Sequence, residues 1–175
     1  MQYKNAFKRL VALFAVTVSL ASAAPAYALS GIYIYANGGG YYTQYGPVGY
    51  WYTASNQGYC GHISAGCSPS EMKWTYGSEC IGSVNYAQWN NIDSYQNGVH
   101  KVFIPAVNAT SGMAPYEVIY NGISQDAFTI NQNAYYDQWI LTDTYYDIRT
   151  TWLRDNPCEG TPYKKIGFDE IQIGY

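Results

Sequence analysis

The chain has 175 residues, 21 of them tyrosine, and only 12% are charged, with nine Lys or Arg against twelve Asp or Glu. A net charge of −3 with no clustered basic run excludes a nucleic-acid surface and attraction to anionic membranes. The Tyr, Gly, Asn, Ser and Thr content suits short twisted strands and tight turns, and helical periodicity is missing after the first 28 residues.

"MQYKNAFKR" carries Lys4, Lys8 and Arg9, and an apolar run too short to span a bilayer comfortably follows it. "AYA" at 26–28 fits the small-x-small rule for signal peptidase, so residues 1–28 are expected to be a removed signal peptide and the protein to be secreted, with no stable membrane insertion. Cleavage there leaves 147 residues with six basic and twelve acidic side chains, a net charge of −6 on one ordinary domain.

Residues 29–48 read as a flexible Gly- and Tyr-rich entry segment, although "GIYIYA" (31–36) within it alternates as a strand does. The domain proper is expected over 49–175. Strand candidates there are "GYWYTAS" (49–55), "EMKWTY" (71–76), "SVNYAQW" (83–89), "HKVFIPAV" (100–107), "PYEVIYN" (115–121), "DAFTIN" (126–131), "QWILTD" (138–143), "YYDIRTTWL" (145–153) and "KKIGFDEIQIGY" (164–175). Asn121-Gly122 between two of them is a strong hairpin signal. Many short strands without helix-length crossovers predict an all-β fold, an antiparallel β-sandwich of jelly-roll type.

Four cysteines in an exported chain read as two disulfides. Of the three possible connectivities, Cys60–Cys67 closing "GHISAG" and Cys80–Cys158 stapling a late loop to the first half are expected. Zinc in "CGHISAGC", with His62 beside two thiols, is disfavoured because the spacing matches no common finger or ribbon.

"INQNAYYDQWI" (130–140) concentrates rings and amides in a predicted connection. Tyr135 and Tyr136 there are candidate sugar-stacking rings, with Asn133 and Asp137 as hydroxyl partners. Trp139 and Gln132 lie at strand ends and read as scaffold. "YYTQYGPVGYWY" (41–52) is a second aromatic cluster and adds Tyr45 and Trp51 as candidates; alternation sets Tyr50 and Tyr52 on one face and Trp51 on the other.

Asp137, Asp143, Asp147, Asp155 and Asp169 are available to a structural Ca²⁺, but none sits in a D-x-D-x-D loop, so no metal site and no cofactor are assigned. As strand neighbours, Asp169 and Glu170 are expected on opposite faces. No G-x-S-x-G elbow is present, and neither His62 nor His100 adjoins a carboxylate in sequence, so no catalytic residue and no enzyme activity are assigned.

From Trp74 onward, "MKWTY" (72–76), "GVHKVFIPA" (98–106), "APYEVIYNG" (114–122), "FTINQ" (128–132), "QWILT" (138–142) and "KIGFDEIQI" (165–173) follow one another in an order that resembles the golvesin C-terminal-like domain, also found at the end of xanthan lyases. Trp74, Tyr116, Val118, Gln132, Trp139, Leu141 and Asp169 stand at the corresponding places. Thr142 after Leu141 and Glu170 after Asp169 depart from the pattern, and the cysteines are not part of it. The resemblance implies a β-sandwich with a carbohydrate-binding role. The expected function is therefore a secreted, non-catalytic domain whose partner is an extracellular or cell-wall polysaccharide. The alternatives are a structural domain meeting a protein partner through its tyrosine-rich surface, and a small polysaccharide hydrolase or lyase.

Overall fold

The computed structural model describes residues 32–64, 71–80, 82–90, 96–160 and 164–174, so the expected signal peptide and Cys67 lie outside the described residues. In chain order the strands are β1 (Ile32–Tyr35), β2 (Tyr42–Tyr45), β3 (Tyr52–Ser55), β4 (Glu71–Tyr76), β5 (Tyr86–Asn90) and β6 (Gln96–Ile104). They continue as β7 (Ala114–Tyr120), β8 (Ser124–Ile130), β9 (Gln138–Ile148), β10 (Thr150–Arg154), β11 (Lys165–Phe168) and β12 (Ile171–Gly174). All pairings are antiparallel and make three sheets, ordered β1-β12-β6-β9, β2-β5-β10-β7-β8 and β11-β4-β3. The expected all-β class and antiparallel sheet packing are present.

Period-two alternation makes the core. Ala87 and Trp89 of β5, Leu153 of β10 and Tyr116 and Val118 of β7 face Val102 and Ile104 of β6 and Ile173 of β12 in one buried cluster. β12 is buried along its whole length, as a central strand between β1 and β6 should be. The hairpin β7–β8 turns at Asn121 and Gly122, whose φ values of 46° and 82° are the left-handed pair that a tight hairpin turn demands.

Three strand expectations differ from the structure. In the 29–48 segment the strand read at 31–36 is β1, and β2 is an additional edge strand that pairs with β5. The predicted strand at 145–153 is broken: β9 ends at Ile148, Asp147 takes φ 52°, and Arg149 grips the Asp147 carboxylate through Nε (2.9 Å) and a terminal nitrogen (3.0 Å) as the chain changes sheet. The predicted strand at 164–175 is broken at 169–170, where the chain leaves the three-stranded sheet for the four-stranded one.

Asp169 and Glu170 are consequently not opposed strand residues. Both sit buried in this two-residue link, and the Tyr59 amide donates to Asp169 Oδ2 at 3.0 Å. Gly58, at φ 82°, is required beside them because a Cβ there would overlap the Asp169 carboxylate. Desolvation raises the pKa of both acids, and for Asp169 the neighbouring Glu170 adds to the rise.

Side chains also bridge the layers. Gln132 is fully buried; its Nε2 donates to Tyr116 Oη (3.1 Å) and the Gly167 carbonyl (2.9 Å), while its Oε1 accepts the Gly167 amide (3.0 Å). The residue thus ties the turn after β8 to β11. His100 of β6 is fully buried between Thr142 Oγ1 (2.7 Å) and Thr151 Oγ1 of the facing sheet (2.8 Å). Thr142 donates its own proton to the His100 carbonyl, so Nδ1 carries the ring proton and Nε2 accepts from Thr151. That arrangement fits a neutral imidazole, and burial lowers the His100 pKa to about 3. The expected disulfide Cys80–Cys158 joins residues 78 apart in sequence with Cα atoms at 4.4 Å. Cys60 is disulfide-bonded as well.

The unfolded imidazole takes a proton below its ordinary pKa of about 6.5 and the buried one does not, so His100 withdraws up to about 1.4 kcal/mol of stability per pH unit as pH falls below that value. The raised acids act in the opposite sense, since the unfolded carboxyls release protons before the folded ones do. Urea midpoints between pH 7 and 4 should therefore fall less steeply, or rise, in His100→Gln relative to the wild type. Parallel curves would mean that His100 is not the buried neutral group.

Candidate binding cleft

Twenty-one tyrosines give the surface many rings, and how each ring meets its neighbours decides what it can bind. On the outer face of the five-stranded sheet, Tyr45 stacks on Tyr86 (4.6 Å between centroids, 14° between planes) and Tyr86 on Trp152 (5.3 Å, 21°). The Arg154 guanidinium lies 4.7 Å over the Trp152 ring and pairs with Glu117 at 2.6 Å. In this ladder the ring faces are spent on one another, so ligands would meet mostly edges.

The three-stranded sheet offers a different arrangement. Tyr52 of β3 stacks on Trp74 of β4 at 4.3 Å, and Tyr76 stands nearly perpendicular to both, at 5.7 Å and 5.2 Å. The register Tyr52↔Trp74 produces this directly, and Tyr76 follows two residues along β4. Tyr52 and Tyr76 therefore make a corner of two rings at about a right angle. Tyr50, in a one-turn 3-10 segment at Val48–Tyr50, is 57% exposed and adds a third ring. The three tyrosines line an open cleft of about 250 Å³, together with Gly77, Ser78, Val84, Asn85 and Asp155.

The polar wall of the cleft is organised by one buried carboxylate. Asp155, 1% exposed, receives the amides of Val84 (2.9 Å) and Asn85 (2.8 Å), the Asn85 side-chain amide (3.2 Å), and the hydroxyls of Ser78 (3.0 Å) and Ser83 (3.1 Å). The backbone of Ser78 also donates to the Asp155 carbonyl, and the Asp155 amide to Asn85. Cys80–Cys158 closes over the same two loops. With its amide held by Asp155, Asn85 keeps a buried Oδ1 that has no donor among the described residues.

The sequence candidates fall in several places. Trp51 turns inward: its indole donates to the Tyr45 carbonyl (3.1 Å) and its ring packs on Phe168 (4.8 Å). Tyr50 and Tyr52 line the cleft on the side away from Trp51, but the strand expected at 49–55 begins only at Tyr52 and Tyr50 belongs to the preceding 3-10 segment. Tyr45 is in the stacked ladder. Tyr135 is half-buried against the core and lines a second groove of about 350 Å³ with Asp126, Phe128, Asn131 and Thr142. Tyr136 is 61% exposed and Asn133 is exposed. The Asp137 carboxylate accepts the Ala106 amide (3.0 Å) and lies 2.7 Å from His62 Nδ1, so it is already engaged. Trp139 packs between Tyr59 (5.0 Å) and Phe103 (5.3 Å), and Gln132 is the buried tie described above. Among the described residues, no group of three or more His, Cys, Asp or Glu is arranged to hold a metal ion, and no helix is long and apolar enough to cross a membrane.

None of the candidate rings read from the sequence lines this cleft, and its Tyr50, Tyr52, Tyr76, Asn85 and Asp155 are not among those candidates. In the sequence Tyr76 reads only as part of a strand pattern, and Asp155 only as an available calcium ligand. The proximity of Asp155 to Cys158 was the available signal, since the disulfide brings it against the loop that contains Cys80.

No family model matches the chain, and no curated protein does. Among solved structures, a xanthan lyase from Paenibacillus is similar over 84% of this chain, with a TM-score of 0.58 and 12% identity. The match spans 13% of that enzyme's chain. The likeness is one of fold, shared with a small region of a much longer protein.

Removing the Asp155 carboxylate should leave buried amides unpaired, at a cost of about 1–3 kcal/mol for each unsatisfied group. Asp155→Ala should lower the thermal midpoint by well over 5 °C for a domain of this size. A change within 2 °C would show that the loops are held without it.

Proposed function

We propose that this is an exported, non-catalytic domain that binds polysaccharide in the cleft formed by Tyr50, Tyr52 and Tyr76. The observation that carries the reading is the corner of exposed tyrosine rings beside a polar wall. Sugar rings present apolar C–H faces for stacking and hydroxyls for hydrogen bonds, and such a cleft offers both. The fold likeness to a region of a xanthan lyase, an enzyme named for a polysaccharide, supports the ligand class.

Two features favour binding without chemistry. The lining carries no His, Cys or Lys, and its one carboxylate is saturated by hydrogen-bond donors. The Cys80–Cys158 disulfide and the apolar leader at 1–28 favour an oxidising, extracellular setting. A second reading, a protein-interaction surface, draws on Leu141 and Tyr146 of edge strand β9, which are 62% and 71% exposed.

Retention of the purified protein on a panel of immobilised polysaccharides tests the proposal. At least one polymer should retain it, Tyr50→Ala/Tyr52→Ala should abolish retention with the circular dichroism unchanged, and Tyr135→Ala/Tyr136→Ala should preserve it. Failure of every polymer would overturn the reading. Self-association that depends on concentration and is lost in Leu141→Ser/Tyr146→Ser would then move the function to β9.

A further inference from the structure

Resting on that reading, we infer that the cleft prefers glycans carrying an unacetylated, protonated amino group. An ammonium is attracted to the faces of tyrosine rings within about 6 Å of their centres, and rings converging from several sides strengthen the attraction. Here Tyr52 and Tyr76 meet at 80° with centroids 5.7 Å apart, and Tyr50 stands over the same space. The charged side chain among the described lining residues is acidic: Asp155 lies beneath the cleft with no cation paired to its carboxylate, only neutral N–H and O–H donors. Among the described residues it has no ion-pair partner, so its negative charge favours a cation above it.

The neighbouring ring shows the same chemistry at work inside the fold. Lys165 Nζ sits 4.4 Å from the centroid of Trp74, the ring on which Tyr52 stacks, and Asn108 Oδ1 holds it there at 2.9 Å. That ammonium is tied to Trp74 and Asn108, and Lys165 does not line the cleft. Glu79, exposed beside Ser78, adds to the negative field near the entrance. Volume limits the occupant too, since about 250 Å³ falls below the roughly 300 Å³ at which pockets for drug-sized ligands begin, and suits a single sugar ring.

The deciding experiment is a titration, followed by tyrosine and tryptophan emission, with a glucosamine hexamer and with its fully N-acetylated counterpart, at a pH where the amines are protonated. The unacetylated oligomer should bind at least tenfold more tightly. An acidic protein attracts any polycation weakly, so ring variants provide the control: Tyr50→Leu should weaken binding about fivefold and Tyr50→Phe hardly at all. Equal or tighter binding of the acetylated oligomer, or no difference between Leu and Phe at position 50, would overturn the inference while leaving polysaccharide binding standing. Failure of both oligomers, together with failure of the whole polysaccharide panel, would remove the parent reading as well.

Discussion

A carboxylate taken out of water costs several kcal/mol unless hydrogen bonds replace its hydration. Asp155 meets that demand with three N–H donors and two serine hydroxyls, all from the described residues of 78–85, which form no strand before Tyr86. The interaction therefore shapes a loop that has no ladder of its own to shape it. The disulfide acts on the same pair of loops by another route, shrinking the unfolded ensemble by an amount worth about 4–5 kcal/mol in the loop-closure model for a separation of 78 residues. One element sets local geometry and the other limits how far the loops can part. The wall of the cleft is thus more rigid than a surface loop of its composition would otherwise be.

Tyrosine is used in two distinct ways on this surface. Where opposed rings on adjacent strands stack, as in Tyr45–Tyr86–Trp152, each ring stabilises its neighbour and little face remains for a ligand. Where β4 runs out at Tyr76, Tyr52 also stacks on Trp74, but Tyr76 stands perpendicular to that stack and the rings of Tyr50, Tyr52 and Tyr76 border an open cleft. Aromatic content alone does not distinguish these outcomes. Register and strand ends do.

Much of the fold was readable because the signals were local. The β7–β8 hairpin needs only alternation and Asn121-Gly122, and β4 matches its predicted bounds of 71–76. Elements defined by distant partners were not readable. β2 looks like a loose tyrosine strip until β5 is beside it, and the breaks at Arg149 and at Asp169-Glu170 occur in apparently continuous strands because the chain must change sheets there. The cleft was legible only in part: alternation sets Tyr50 and Tyr52 apart from Trp51, but the candidates it offered were Trp51 and Tyr45, which lie inward and in the stacked ladder. Tyr76 and Asp155 reach the cleft through a β4 register and a disulfide that no local pattern encodes.

The interior polar groups are not served alike. Gln132 and Asp155 are supplied with partners that match their hydrogen-bonding capacity, and His100 is accommodated as a neutral ring. Asp169 and Glu170 are less well served, with Asp169 Oδ1 and both Glu170 carboxyl oxygens buried without donors. Their position explains why acids are costly there and why the site is nevertheless occupied by closely packed chain: the link must pass between two sheets, under the Gly58–Tyr59 turn, in a space that excludes water. The raised pKa of both acids eases that cost, because it favours their neutral forms. His100 favours folding at higher pH and the carboxyl pair at lower pH, so the two act in opposite directions on the pH dependence of stability.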